Sequence, residues 1–225
     1  MKYSLSEIKT SQENKIAVPD IIHFVWVGNT NAINYSYIKI WRKVNKDKLM
    51  YLWCDKNTKF IKLLHQSIDE YTFNDIESSI ATNIKIKNSA FNYIFPKLKE
   101  GFAFDDLVIT FMIKNEIPFK YVPELSLENA CEIKDVVKRD ISELFSIDDF
   151  SHFAMFYYYE IILRGNLASA SDIIRLLVIY VFGGIYIDVD TLPSTNDVFL
   201  KFNKYVKEQG LIEDDFMFLY KRSVF

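Results

Sequence analysis

The segment from residue 167 to residue 190 constrains the fold more than any other part of the chain. An apolar run, Leu167–Phe182, is followed by Gly183 and Gly184 and then by Ile185–Val189, which ends against Asp190. Glycine ends helices readily because it adopts the left-handed cap conformation without steric cost, and the chain has only six glycines in 225 residues. The segment therefore predicts a helix over 167–182, a glycine stop and a strand over 185–189.

A second ordered block, near the start of the chain, alternates strands with helices. Asp20–Val27 is short, apolar and β-branched and is bounded by Pro19 and Gly28, which is typical of a buried parallel strand. The other predicted elements are a helix over 31–45, a strand over 49–54, a helix over 57–71, a mostly helical region over about 75–165 and a helix over 198–208. This alternation predicts an α/β fold, and residues 1–18 are expected to form a polar arm.

Composition argues against several classes of protein. The formal net charge is −3, with 50% hydrophobic and 25% charged residues, whereas a binder of nucleic acid or anionic membranes would carry a basic excess. No apolar stretch approaches the roughly 20 residues of a membrane helix, and residues 1–15 lack the apolar region of a signal peptide. We therefore expect no nucleic-acid partner, no transmembrane segment and no classical signal peptide. The two cysteines, Cys54 and Cys131, are expected to be reduced and structural.

Asp188 and Asp190 are the first candidate site residues. Residues two apart along a strand point to the same side, so both carboxylates can converge just beyond the end of the predicted strand. Ligands of open α/β sheets bind at this edge, and carboxylate oxygens suit Mg²⁺ or Mn²⁺. A solvated turn is the alternative, but the hydrophobic strand and the preceding Gly183 and Gly184 favour a cation site.

Asp172 and Arg175 are the only charged residues between residues 165 and 187. Their spacing of three places them on one helix face, and their apolar neighbours predict a buried helix. Because an unpaired buried charge is costly, the two must pair with each other, with other polar groups or with a ligand. An internal salt bridge and a ligand-binding role are equally compatible with this pattern.

The remaining candidates divide between core and site. His23 lies within the first strand and is expected to be a hydrogen-bonded core residue. Trp26, at the end of that strand, suits either a core position or a flat stacking surface for a base or sugar. The sequence contains no dinucleotide-binding, P-loop, nucleophile-elbow or HExxH pattern, and its three scattered histidines do not indicate a zinc site.

Two blocks of sequence together resemble the glycosyltransferase domain of the large clostridial glucosylating toxins. The first, Pro19–Asn57, contains PDIIHFVWVG, AINYSYIKIWRKVN and LWCDKN, and the second is Gly165–Leu200. The second block is the more specific, since SDIIR, GGIYIDVD and the proline that follows keep the order and spacing of the family. The resemblance implies a GT-A-like, Rossmann-like mixed α/β sheet flanked by many helices.

The resemblance also implies a donor site and a metal. The donor would be a UDP-sugar, such as UDP-glucose or UDP-N-acetylglucosamine, bound with Mn²⁺ or Mg²⁺. Trp26 would stack on the uracil, Tyr186 and Asp188 would contact ribose and sugar, and Asp190 would bind the metal directly with Asp188 beside it. An asparagine that the family places in the helix after the second strand corresponds to Lys62 here.

The implied chemistry is transfer of the sugar to a protein hydroxyl with retention at the anomeric carbon. Asp172 and Arg175 would hold sugar hydroxyls and, with Asp188, form the catalytic set. The acceptor would be a small GTPase of the Rho/Ras type. The resemblance implies a toxin or effector that is delivered into a host cell without a classical signal peptide and acts in its cytosol; otherwise the protein would be cytoplasmic.

The extent of the match leads to one further expectation. Only residues 191–225 follow Asp190, so residues 19–225 are expected to be the donor-binding part of such a domain, truncated at the C-terminus, with a mainly helical insertion at about 75–165. We expect such a chain to bind UDP weakly and to transfer sugar slowly or not at all. The alternative function is a catalytically inactive remnant that binds nucleotide-sugar or protein.

Overall fold

The computed structural model describes residues 18–72, 79–120, 133–146 and 151–191. Four strands lie within these ranges: β1 (Ile21–Trp26), β2 (Leu49–Cys54), β3 (Val137–Asp140) and β4 (Ile185–Tyr186). The helices are α1 (Tyr35–Val44), α2 (Thr58–Thr72), α3 (Ser79–Lys99), α4 (Phe104–Lys114), α5 (Ser142–Phe145), α6 (Ser151–Tyr158) and α7 (Leu167–Phe182). A 3₁₀ turn, Thr30–Ala32, precedes α1, and a π-helix, Tyr159–Arg164, follows α6.

The four strands form one sheet in the order β3-β2-β1-β4. Every pairing between them is parallel, and β1 pairs along its whole length with β2, from Ile21 opposite Leu49 to Trp26 opposite Cys54. The predicted α/β class is therefore confirmed. The antiparallel strand that a mixed sheet requires is not among the described strands.

The sheet is buried on both faces, which explains why its central strands have few polar residues. On one face, Ile22 and Phe24 of β1 pack with Ile38 and Trp41 of α1. On the other face, Val25 joins the larger core, which α2, α3, α4 and α7 supply. No helix in the described ranges is long and apolar enough to cross a membrane.

Several predicted boundaries are confirmed and others are wrong. The predicted bounds of α7 and β2 coincide with the observed bounds, whereas β4 ends at Tyr186 and not at Val189. The short strand β3 was not predicted within the helical region. The helix over 198–208, most of the polar arm and Cys131 lie outside the described residues. Cys54 is buried and free, and burial raises the pKa of its thiol to about 12, as expected of a structural cysteine.

His23 is the hydrogen-bonded core residue that the sequence predicts. Its side chain is fully buried. Its Nδ1 accepts a hydrogen bond from Nε1 of Trp53 at 3.1 Å, so its Nε2 carries the proton and donates to the carbonyl oxygen of Gly183 at 3.0 Å. Burial, the largest effect, lowers the pKa of His23 to about 4. The imidazole is therefore neutral near pH 7 and joins the middle of the sheet to the end of α7.

Gly184 allows β4 to start directly against β1. Its φ is +87°, and a Cβ at this position would lie 2.4 Å from the carbonyl oxygen of Ile21. A side chain here would therefore both strain the backbone and collide with a neighbouring strand.

We expect Gly184→Ala to lower the free energy of unfolding by more than about 2 kcal/mol, because backbone strain and a backbone clash add together. Gly101→Ala is the matched control, since Gly101 has a φ of +91° and nothing within 4 Å of its added Cβ. The control should cost about 1 kcal/mol, as expected for strain alone. Chemical denaturation of both variants measures the difference, and equal losses would contradict the close approach of Gly184 to β1.

Candidate functional site

The carboxyl ends of all four strands lie at one edge of the sheet, because the strands are parallel. Along the chain, β2 and β3 extend the sheet on one side of β1, and β4 then adds on the other side. The strand order therefore reverses between β1 and β4, and ligands of open α/β sheets bind in the crevice at such a switch point. Trp26 ends β1 at this crevice, and the residues after β4 lead to Asp188 and Asp190.

Asp188 and Asp190 lie on the exposed side of the segment that follows β4. Ile187 and Val189 are each 8% exposed and belong to the core beside α1, whereas both aspartates are exposed. Both carboxylates are therefore accessible to a ligand from solvent. The last backbone bond to β1 runs from the amide of Ile187 to the carbonyl of His23 at 3.0 Å, and a turn follows in which the Thr191 amide donates to the Asp188 carbonyl at 3.0 Å.

Tyr186 connects this turn to α7. Its hydroxyl donates a hydrogen bond to the carboxylate of Asp188, and the guanidinium of Arg175 lies over its ring, 5.5 Å from the centroid. Burial is the main reason that the pKa of the Tyr186 hydroxyl is well above its usual value, and the hydrogen bond to Asp188 adds to this effect. The phenol therefore stays protonated and remains a donor.

Asp172 and Arg175 form an ion pair with each other on α7. The expectation that the pair is buried is wrong: the side chains are 53% and 37% exposed, respectively. The physical reason is that α7 packs with one side only, through residues such as Ile174 and Val178, while Leu176 on the other side is 50% exposed. An exposed ion pair stabilises a protein by only about 0–1 kcal/mol, so stability alone gives little reason for this pair.

Trp26 is half-buried at the end of β1. Its ring packs against the core beside α1, and its Nε1 donates to the carbonyl of Asn29 at 3.0 Å in the loop that follows the strand. The indole is therefore held in place while part of it faces solvent at the carboxyl edge of the sheet. This half-buried position is compatible with both roles that the sequence left open, core packing and stacking.

The contacts of these residues form a continuous series that links α7 to the loop after β4. Asp172 pairs with Arg175, Arg175 lies over Tyr186, and Tyr186 donates to Asp188. We call this series the Asp172–Asp188 network. It brings together four of the six candidate site residues that the sequence singled out. The other two are Trp26, the last residue of β1, and Asp190, in the turn that follows β4.

Two further aspartates at the same edge were not predicted. Asp55 follows β2 and is buried; Tyr157 donates to its Oδ2 at 2.5 Å and the Asn57 amide to its Oδ1 at 2.6 Å. Burial raises the pKa of Asp55. Asp140, at the end of β3, accepts from the Ser142 amide at 2.8 Å. The signal that could have found Asp55 is an aspartate directly after a predicted strand.

Asp55 and Asp190 differ in the hydrogen bonds that their carboxylate oxygens already accept. The carboxylate of Asp55 accepts hydrogen bonds at both oxygens, so it serves the start of α2. By contrast, no ion pair involves Asp190 within the described ranges, and its carboxylate is exposed. No group of three or more His, Cys, Asp or Glu side chains in those ranges could hold a metal. Two carboxylates fit a hard cation whose other ligands are water or phosphate oxygens.

An open α/β sheet with an Asp-x-Asp turn beyond a strand at the switch point agrees with the GT-A-like fold that the sequence resemblance implies. The family described as the TcdA/TcdB catalytic glycosyltransferase domain matches residues 20–115 and 92–217. The chain therefore belongs to this glycosyltransferase family, and the family expected from the two sequence blocks is confirmed.

Individual relatives agree with this assignment. Toxin B of Clostridioides difficile is 29% identical over 232 residues, which cover 90% of this chain and 10% of the toxin. Cytotoxin-L of Paraclostridium sordellii is 27% identical over 238 residues, with 90% and 10% covered. The chain thus spans about a tenth of the length of these relatives.

A solved structure supports the fold. The catalytic domain of alpha-toxin from Clostridium novyi is similar with a TM-score of 0.51 and 21% sequence identity. The similarity covers 85% of this chain and 40% of that domain. At this level of identity it shows that the two chains share a fold.

Proposed function

We propose that this chain is the donor-binding part of a glycosyltransferase: it binds a UDP-sugar weakly at the switch point between β1 and β4 and transfers the sugar only slowly to a protein hydroxyl. The observation that carries the proposal is the Asp172–Asp188 network, which ends beside Asp190 at the edge of the sheet where ligands bind. Membership of a glycosyltransferase family supports the reaction class.

The proposed roles follow from the chemistry of each side chain. Trp26 offers a flat apolar ring for the uracil at the end of β1. Tyr186 and Asp188 supply a donor and an acceptor for ribose and sugar hydroxyls. Asp172 and Arg175 supply an oriented carboxylate and guanidinium for the remaining sugar hydroxyls, and their exposure leaves both groups accessible to a ligand.

Asp190, with Asp188 beside it, would hold Mn²⁺ or Mg²⁺. When bound, the divalent cation would stabilise the negative charge that develops on the leaving diphosphate. The side chains of this network orient the sugar for transfer with retention at the anomeric carbon. UDP-glucose and UDP-N-acetylglucosamine are the two donors to test.

The proposed setting is a toxin or effector that acts on a small GTPase of the Rho/Ras type in the cytosol of a host cell. The support is that the curated relatives carry the names of toxins and that the family is that of their catalytic domain. Transfer to a purified GTPase tests this setting; binding of the donor with neither hydrolysis nor transfer would favour the alternative of a non-catalytic binding module.

Asp190→Asn should remove the Mn²⁺-dependent part of the affinity for UDP, because an amide is a poor substitute for a charged oxygen ligand. We expect the Mn²⁺-dependent affinity to fall by at least about tenfold. Mutation of a residue that only hydrogen-bonds to a metal ligand already lowers metal affinity by about this factor, and Asp190 is proposed to be a ligand itself. Calorimetry with UDP, with and without Mn²⁺, measures the effect. Asp106→Asn, a change of an exposed aspartate on α4, is the control. Unchanged Mn²⁺-dependent affinity in Asp190→Asn would refute the metal assignment.

Asp172→Asn should weaken binding of UDP-glucose about tenfold and leave binding of UDP nearly intact, because the lost contacts are to the sugar. The melting temperature should fall by no more than about 4 °C, as expected for an exposed ion pair in a chain of this size. Calorimetry with both ligands and a thermal melt make the comparison. If both ligands weaken equally and the melting temperature falls steeply, the pair is a structural salt bridge.

A further inference from the structure

Trp41 makes an unusually long-range contact with the candidate site. It lies on α1 and is 3% exposed, and its indole Nε1 donates a hydrogen bond to the carbonyl oxygen of Thr191 at 2.7 Å. The two residues are 150 positions apart in the chain. The bond therefore joins the buried side of α1, which packs on one face of the sheet, to the far end of the Asp188–Thr191 turn.

The turn has few other attachments among the described residues. β4 pairs with β1 at only two positions, and the amide of Ile187 makes the last bond to that strand. Beyond it, Val189 packs into the core and the Thr191 amide closes the turn onto the Asp188 carbonyl. The bond from Trp41 holds the segment at Thr191, and the bond from the Ile187 amide to β1 holds it at the other end. Asp188 and Asp190 lie between these two attachments.

Trp41 is itself well fixed. Its ring packs in the same core as Ile38 and Val189. Its carbonyl oxygen accepts hydrogen bonds from the backbone amide of Asn45 at 3.0 Å and from the Asn45 side chain at 3.1 Å. A donor on such a rigid support restricts the position of its acceptor, in the way that outer groups orient metal ligands.

We propose that Trp41 is a positioning residue for the Asp-x-Asp turn, and that its indole N–H fixes Asp188 and Asp190 relative to each other through the Thr191 carbonyl. Trp41 itself touches neither donor nor cation. The consequence for cation affinity rests on the proposed function, whereas the anchoring of the turn does not. A purely structural Trp41 would contribute packing alone.

The test separates the hydrogen bond from packing. Incorporation of 3-benzothienylalanine at position 41 through an amber codon replaces the N–H by sulfur with little change of ring shape, and Trp41→Phe is the genetically simple version. Ile38→Val is the packing control, because Ile38 is a fully buried member of the same core and the same helix and donates no side-chain hydrogen bond.

Two readouts are measured on the full chain. Hydrogen–deuterium exchange without metal reports the peptide that covers residues 187–191, and we expect about fivefold faster exchange in both Trp41 replacements. Electron paramagnetic resonance of free Mn²⁺ in the presence of saturating UDP reports cation affinity, and we expect about a tenfold loss. Ile38→Val should change neither readout at this peptide.

The two measurements test the anchoring of the turn, the positioning of the carboxylates and the proposed function separately. Unchanged exchange at 187–191 in the benzothienylalanine protein overturns the anchoring role, as does equal acceleration in Ile38→Val. Faster exchange with unchanged Mn²⁺ affinity overturns the positioning of the carboxylates. Wild-type chain that binds no Mn²⁺ with UDP overturns the proposed function, while the metal-free exchange still tests the anchor.

Discussion

The hydrogen bonds of His23 hold together the parts of the molecule from which the site is built. Its imidazole accepts from Trp53 of β2 and donates to Gly183 at the end of α7, and its carbonyl accepts from Ile187 after β4. A charged imidazole could not accept from Trp53, so burial, which keeps His23 neutral, is a condition for this arrangement. The position of the loop after β4 therefore depends on a residue in the middle of β1.

The carboxyl edge of the sheet contains two kinds of acidic residue. The carboxylate of Asp55 accepts hydrogen bonds at both oxygens and supports the start of α2. Asp188 and Asp190 are exposed and lie where the strand order reverses. Burial and full hydrogen bonding therefore assign Asp55 a structural role, whereas the exposure of Asp188 and Asp190 leaves them available for the cation that we propose.

The sequence predicted the elements whose local signals are strong. β2 and α7 have their predicted bounds because apolar runs end at clear boundaries, such as Gly183 after Phe182. β3 escaped prediction because its four residues, VKRD, are mostly polar and half of them are exposed. β4 is shorter than predicted because its pairing with β1 ends at Tyr186.

The sequence predicted which residues make up the candidate site, but it predicted their burial and contacts only in part. Asp172 and Arg175 were expected in a buried helix because α7 has apolar residues on nearly all sides. One side of α7 is nevertheless exposed and carries apolar residues such as Leu176, so its apolar composition did not imply that the whole helix is buried. Trp41 could not be predicted at all, because its contact with Thr191 spans 150 residues and exists only in the folded chain.

The central claim is that nucleotide and cation meet at the switch point between β1 and β4. Crystals of the chain grown with UDP and Mn²⁺ test it directly, because anomalous scattering locates manganese independently of the protein. We predict a manganese peak bonded to a carboxylate oxygen of Asp190, with the uracil against the ring of Trp26. A manganese peak and nucleotide located elsewhere, for instance beside Asp55 and Asp140, would contradict the account.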